Sequence, residues 1–219
     1  MAIAFDAASN SGYQTAQSSY SWNHTCSGPE AILLVGVSML SVVGSSVTSI
    51  TYDGIALNLI DAKASVSGAV RAEAWKLDDP PTGTALSIVV TLSAGLDSTA
   101  GAVSLSVVNV LSSTEAANDN SATNIGAADA TVTVTTVADN DWVFTVVAAS
   151  DTSITAGQTE RSNVTGTLGS GGTSTTGPKT PAGAQAMNWT NVGAAQTWSI
   201  VGVAIKPATI DTPFAQACL

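Results

Sequence analysis

The chain has 219 residues, of which 6 are Lys or Arg, 16 are Asp or Glu and 1 is His, for a formal net charge of −10; hydrophobic residues make up 45% and charged residues 10%. Such a length holds one large all-β domain with a real core, and charge this sparse excludes a solvated helical bundle, a coiled coil or a charged disordered chain. So few cations cannot neutralise a row of phosphates, which excludes nucleic acid as a partner.

Taken in order, Met1–Asp6 has neither a basic stretch nor an apolar stretch, so no secretory signal is expected. Tyr20, Trp22 and His24 alternate onto one face with Ser21 and Asn23 between them. The run Ala31–Met39 is strand-length and too short to cross a bilayer. Within it, Ile32–Val37 is apolar on both faces and reads as a central strand, as does Ile200–Ile205. Tyr52-Asp53-Gly54-Ile55 predicts a hairpin, because Asp-Gly supplies the positive φ angles of a type I′ turn. Asp78–Gly83 holds two prolines and breaks any ladder. Leu86–Leu92, Val103–Val107, Ala130–Val137 and Trp142–Ala148 alternate apolar with polar or β-branched residues, the pattern of half-buried antiparallel strands. Asp139-Asn140-Asp141 reads as a turn.

The sum is an all-β antiparallel β-sandwich, jelly-roll-like, of about 11–12 strands, with little helix. A single domain is expected over residues 1–206. Ser112–Ala128 and Thr159–Ala184 lack a pattern and read as long loops. Residues 207–219 read as an extended arm that has left the sandwich.

Chemistry-bearing motifs are few. Nucleophilic hydrolysis needs an activated Ser or Cys beside a base, and the chain has no Gly-x-Ser-x-Gly elbow and one histidine. His24 is therefore read as a strand-packing residue. Neither a Cys-x-x-Cys nor a His-x-x-x-His exists, so no zinc site is expected. Cys26 and Cys218 are read as free thiols. Glu73 shares a strand face with Arg71 and Trp75, which suggests a solvated ion pair rather than a glycosidase acid. Asn118, Asp119, Asn120, Asp139 and Asp141 offer hard oxygen ligands for calcium, but the same residues build turns. No cofactor is expected, and no enzymatic activity. Trp142 and Trp198 alternate into apolar faces and are read as core. Trp189 sits among Met187, Asn188 and Thr190; with Trp22 and Phe214 it is a candidate for a subunit or glycan contact.

Trp22-Asn-His24, Leu33–Val37, Val47–Gly54, Glu73-Ala-Trp75, Pro80–Thr84 and Val201–Ile205 carry a resemblance. The chain resembles uncharacterised β-sandwich modules common in bacteriophage structural genes and in bacterial surface proteins, over most of residues 2–206. The resemblance implies a jelly-roll-like sandwich associated with virions or extracellular surfaces, and it supplies no active site. The expected function is a virion structural protein, a bacteriophage capsid decoration or cement protein. It would form a homo-oligomer, a trimer by symmetry, against a major capsid protein or other virion protein. The alternative is a carbohydrate-binding or receptor-binding module of a tail fibre or surface protein, with a glycan as partner. The expected location is the virion, with the protein made in the host cytoplasm, and no membrane or nucleic-acid partner is expected.

Overall fold

The structure, a computed structural model, describes residues 2–40, 44–109, 112–125, 129–191 and 196–208. These form strands and no helix: β1 (Ala4–His24), β2 (Ile32–Leu40), β3 (Val47–Tyr52), β4 (Ile55–Ala56), β5 (Asn58–Ala64), β6 (Val70–Asp78), β7 (Leu86–Ser106), β8 (Thr114–Ile125), β9 (Ala130–Thr135), β10 (Asp141–Ala149), β11 (Ile154–Ala156), β12 (Thr159–Thr165), β13 (Ser170–Lys179), β14 (Ala184–Asn191) and β15 (Gln196–Ile205). The chain is an all-β antiparallel sandwich. A seven-stranded sheet runs β4-β3-β7-β2-β6-β5 with β1 against β7, a five-stranded sheet runs β12-β13-β10-β15-β8, and a three-stranded sheet runs β11-β14-β9.

The seven-stranded sheet folds over itself. β1 and β7 pair along their whole length, from Ala4↔Ser106 to His24↔Leu86. The other edge of β7 is divided: β2 takes Asp97–Leu105 and β3 takes Ile88–Leu92. Ile88, Val90 and Leu92 from the first half of β7 line the same core as Ala100 and Ala102 from its second half. A strand whose two halves face one core with the same side must bend back. The bend shows in β1 as register slips between Gln14, Gln17 and Ser19 and as φ 50 at Ala16. Gly95 sits opposite, where a Cβ would lie 2.9 Å from the Ala16 carbonyl oxygen. The first half of β7, the second half of β1, β3 and β4 thus form a flap. It closes on a floor made by β2, β6 and the remaining halves of β1 and β7.

Three cores result. Leu33, Val35, Val37, Trp75 and Leu77 of the floor meet Tyr20, Ile50 and Tyr52 of the flap. On the other side of the floor, Ile32, Leu34, Val70, Val103 and Leu105 meet Phe144, Val146, Val201 and Val203 of the five-stranded sheet. Its opposite face, with Val143, Val147, Ile200 and Ala204, meets Val132, Val134, Met187 and Trp189 of the three-stranded sheet. β2 is buried at every position, as its two-sided apolar run predicts, and β15 is buried from Thr197 to Ile205. β10, expected to be half-buried, is also covered on both faces.

Other expectations are corrected. Ser112–Ala128 is not a loop: β8 pairs with β15 along it. An edge strand needs only its backbone ladder, so polar side chains do not prevent it. Thr159–Ala184 is not a loop either, since β12 and β13 form a hairpin there. The Gly169–Gly172 stretch belongs to that hairpin because two layers crowd it. A Cβ at Gly171 would lie 2.3 Å from the Ser38 Cβ, and one at Gly172 would lie 2.3 Å from the Trp189 ring. The runs Leu86–Leu92 and Val103–Ser106 belong to one strand of 21 residues, with Val107 outside it at φ 61, and Ala4–Ser19, which shows little apolar alternation, is the long first part of its partner. The Asp53-Gly54 turn has the expected positive φ at both residues, 51° and 79°. Residues 207 and 208, expected to have left the sandwich, are still tied to it: Pro207 bridges Val108, and the Ala208 amide donates to the Val107 carbonyl at 2.9 Å. Phe214, Cys218 and the rest of 209–219 lie outside the described residues.

At Gly36, in the middle of β2, a Cβ would lie 2.7 Å from both Thr173 Cγ2 and Val146 Cβ. Gly36→Ala should therefore cost about 1–3 kcal/mol by overpacking, read as a lower urea midpoint. An unchanged midpoint would show that the two sheets lie farther apart than this.

Candidate functional site

The densest polar cluster lies where the flap closes. His24 and Trp22 end β1, while Asp6 and Ser9 begin it. His24 Nδ1 is 2.8 Å from Ser9 Oγ and its Nε2 is 3.1 Å from Ser104 Oγ. Ser104 donates to Asp6 Oδ2 at 2.7 Å, and the Trp22 indole donates to Ser9 Oγ at 3.0 Å. The Ser27 amide donates to the same Asp6 oxygen at 2.8 Å, and the Tyr52 hydroxyl donates to the His24 carbonyl at 3.2 Å.

Proton counting orders this chain. A carboxylate only accepts, so the single hydroxyl proton of Ser104 goes to Asp6. Ser104 must then accept from His24, which places the imidazole proton on Nε2. Nδ1 is left to accept from Ser9. His24 is 3% exposed, and burial pulls its pKa down from 6.5 to about 4 against the opposing charge of Asp6. The ring is neutral at pH 7, consistent with this tautomer.

A hydroxyl beside an unprotonated imidazole is the first half of a nucleophile–base arrangement. A general base works best with a pKa near the operating pH, and about 4 is too low for that. The Cys26 thiol, set beside Tyr52 and Ser104, is pushed up to about 11 by burial and stays protonated. The cluster's chemistry is therefore that of a polar tie: the bonds of His24 and Trp22 to Ser9 join residues 15 and 13 positions apart in one strand. His24 does pack within the sheet, as expected, but by bridging strand halves.

Two carboxylate sites were read differently from sequence. Glu73 is not solvated: it is 1% exposed. Its Oε1 accepts from Arg71 Nε at 2.6 Å and from the Val47 amide at 3.3 Å, and its Oε2 accepts from the Trp75 indole at 3.0 Å. Asp141 is not an exposed turn ligand; it is fully buried. The Val137 amide donates both to Asp141 Oδ2 at 3.1 Å and to Glu115 Oε2 at 2.9 Å. A second carboxyl group converging on the same N–H disfavours the charged form of Asp141. Burial is the largest cause holding the Asp141 pKa up at about 6, with Glu115 adding to it against the amides of Ala138 and Val137. Lys206 Nζ lies 3.4 Å from the other Glu115 oxygen. Asn118 donates to the Thr133 carbonyl and Asp119 pairs with Lys63, both at the β8 edge rather than in a loop. Asp139 accepts from the Ala182 amide. Among the described residues no group of three or more His, Cys, Asp or Glu could hold a metal ion.

The tryptophans need the largest correction. Trp189 is fully buried, so it is no exposed platform. Its ring rests on Gly172, and its indole donates to Thr145 Oγ1 at 3.4 Å. Trp22 is half-buried and stacks on Tyr20, with ring centroids 6.3 Å apart. Trp198 is core, as expected, and Trp142 is partly buried against the second core. A contact absent from the sequence reading is the Arg161 guanidinium, 3.7 Å from the Phe5 ring centroid. Nothing in the spacing of two strands so far apart in the chain announces that pair.

No protein-family model matches the chain, and no curated protein matches it either. Among solved structures, the ANXUR2 extracellular domain from Arabidopsis thaliana is similar over 90% of this chain and 83% of its own, at 8% identity and a TM-score of 0.31. The ANX2 ectodomain from Arabidopsis thaliana has the same coverage and identity with a TM-score of 0.27. Likeness this low bears on neither family nor function.

Removing Arg71 leaves a buried carboxylate uncompensated. Arg71→Met should cost about 3 kcal/mol in denaturant unfolding, and adding Glu73→Gln should recover more than half. A loss well under 1 kcal/mol would return the pair to the solvated class. At Asp141 the folded pKa lies above the unfolded 3.8. The folded state thus holds the extra proton, and this contribution is present below about pH 3.8 and lost as pH rises through 6. Asp141→Asn keeps a neutral group there and should stabilise the fold on the order of 2 kcal/mol at pH 7 but not at pH 3.5. Equal effects at both pH values would sink the account of a protonated, buried Asp141.

Proposed function

We propose that this protein is an assembly subunit of a bacteriophage particle, a capsid decoration or cement protein that works through contacts between copies and with a neighbouring shell protein, without catalysis. The observation that carries this reading is where the apolar and polar groups point. His24, Glu73 and Asp141 are committed to inward ties. Large apolar side chains meanwhile face outward on strands at sheet margins: Ile55 on β4 at 45% exposed and Leu59 on β5 at 49%. These two strands end the seven-stranded sheet on either side, and only Leu57 separates them in the chain. The low charge fits such contacts, because few ions must be desolvated on association. A closed interface would bury about 1,200–2,000 Å².

The glycan-binding alternative now rests on Trp22, whose ring is half-buried. It predicts quenching of tryptophan fluorescence by a glycan and loss of that response in Trp22→Ala.

Light scattering on the purified chain tests the leading reading. A discrete homo-oligomer is expected, and Ile55→Asp with Leu59→Asp should shift it to monomer by at least tenfold in apparent dissociation constant. A wild-type chain that stays monomeric at millimolar concentration would overturn it.

A further inference from the structure

We infer that the flap over the first core is an acid-released latch, with His24 as its proton-sensitive bolt. The flap contains His24, Trp22, Ile50, Tyr52 and Ile88, and the floor contains Ser9, Asp6, Ser104 and Trp75. Three side-chain bonds cross from flap to floor within this one cluster: His24 to Ser9, His24 to Ser104, and Trp22 to Ser9. The bend lies where β1 slips register between Gln14, Gln17 and Ser19, beside the positive φ of Ala16. Flap and floor are one ribbon, so opening needs no strand to leave the β1–β7 ladder. It needs only the crossing bonds and the apolar contacts behind them to part.

The titratable groups that face His24 are few. Asp6 lies beyond Ser104, Cys26 follows β1, and Tyr52 comes from β3. The flap's other charged tie is the Val47 amide to Glu73, with Arg71 behind it. In the closed state the ring must be neutral to keep its Nδ1 acceptor for Ser9. A proton there turns that acceptor into a donor and places a cation in a site that burial disfavours. The sign follows from linkage. The closed-state pKa of about 4 lies below the ordinary 6.5, so the open state binds the proton more tightly. Closure is complete above 6.5 and weakens as pH falls through 4.

Amide hydrogen exchange on the full chain, normalised at each pH to the unstructured rate, tests this. Between pH 6.5 and 4 the opening constant for residues 19–24, 47–56 and 86–92 should rise about tenfold per unit. β10 and β15 should stay protected over the same range. His24→Gln, which keeps one donor and one acceptor but cannot take a proton there, should abolish the rise in the flap. Uniform loss of protection over all three cores, an unchanged flap, or a flap response that survives in His24→Gln would each overturn the proposal. Should that variant fail to fold, the wild-type profile alone decides, by whether flap and inner strands separate.

Discussion

The structure depends on strands that are buried on both faces at once. β2 serves the first and second cores, and β10 and β15 serve the second and third. A strand in that position has no solvent side on which to place bulk, so its side-chain size must suit two neighbouring layers together. Where layers approach most closely, the residues shrink to Gly36, Gly171 and Gly172. Some polar side chains between layers are bonded, since Ser38 donates to the Val147 carbonyl at 2.6 Å and Thr145 and Ser174 lie 2.6 Å apart, whereas the buried Ser199 hydroxyl on β15 has no partner. The Ser, Thr and Gly richness that reads as loop composition is thus also the composition of a tightly stacked interior.

The buried carboxyl groups of Glu73 and Asp141 tie neighbouring strands together, although Asp141 Oδ1 has no hydrogen-bond partner. Glu73 spends its oxygens on Arg71, Val47 and Trp75, so it joins β6 to the start of β3. Asp141 and Glu115 share one amide donor and join the start of β10 to β8. Glu73 and Asp141 are both closed off from solvent. His24 and Asp141 also respond to acid in opposite directions over nearly the same interval, since one pKa is held down and the other up. The two sites occupy different layers and titrate different parts of the molecule.

The sequence displays the class of fold and its central strands, because alternation and two-sided apolar runs are local signals. Ile32–Val37 and Ile200–Ile205 are readable for that reason, and so is the Asp53-Gly54 turn. What is not readable depends on partners distant in the chain. β8 is a strand because β15 offers it a ladder. Trp189 looks exposed by its polar neighbours, yet Gly172 lies 17 positions away in the chain and makes the space that buries it. Glu73 looks solvated until Val47 and Trp75 are seen to close over it. The Asp6–Ser104–His24–Ser9 chain is invisible beforehand for the same reason: it exists only once the first strand has doubled back.

That doubled strand also bears on how the molecule is made. β1 precedes the other described strands, yet among the described residues its ladder partner is β7, whose last paired residue is Ser106. During synthesis β1 must therefore wait, unpaired, while roughly eighty intervening residues emerge at about 5–20 residues per second. Its own residues suit that wait: between Ser9 and Ser19 there is one aromatic ring and no aliphatic side chain larger than alanine. A segment so poor in apolar bulk has little tendency to join the wrong neighbour while it is idle. The weak strand signal at the start of the chain is in this sense protective during birth of the protein.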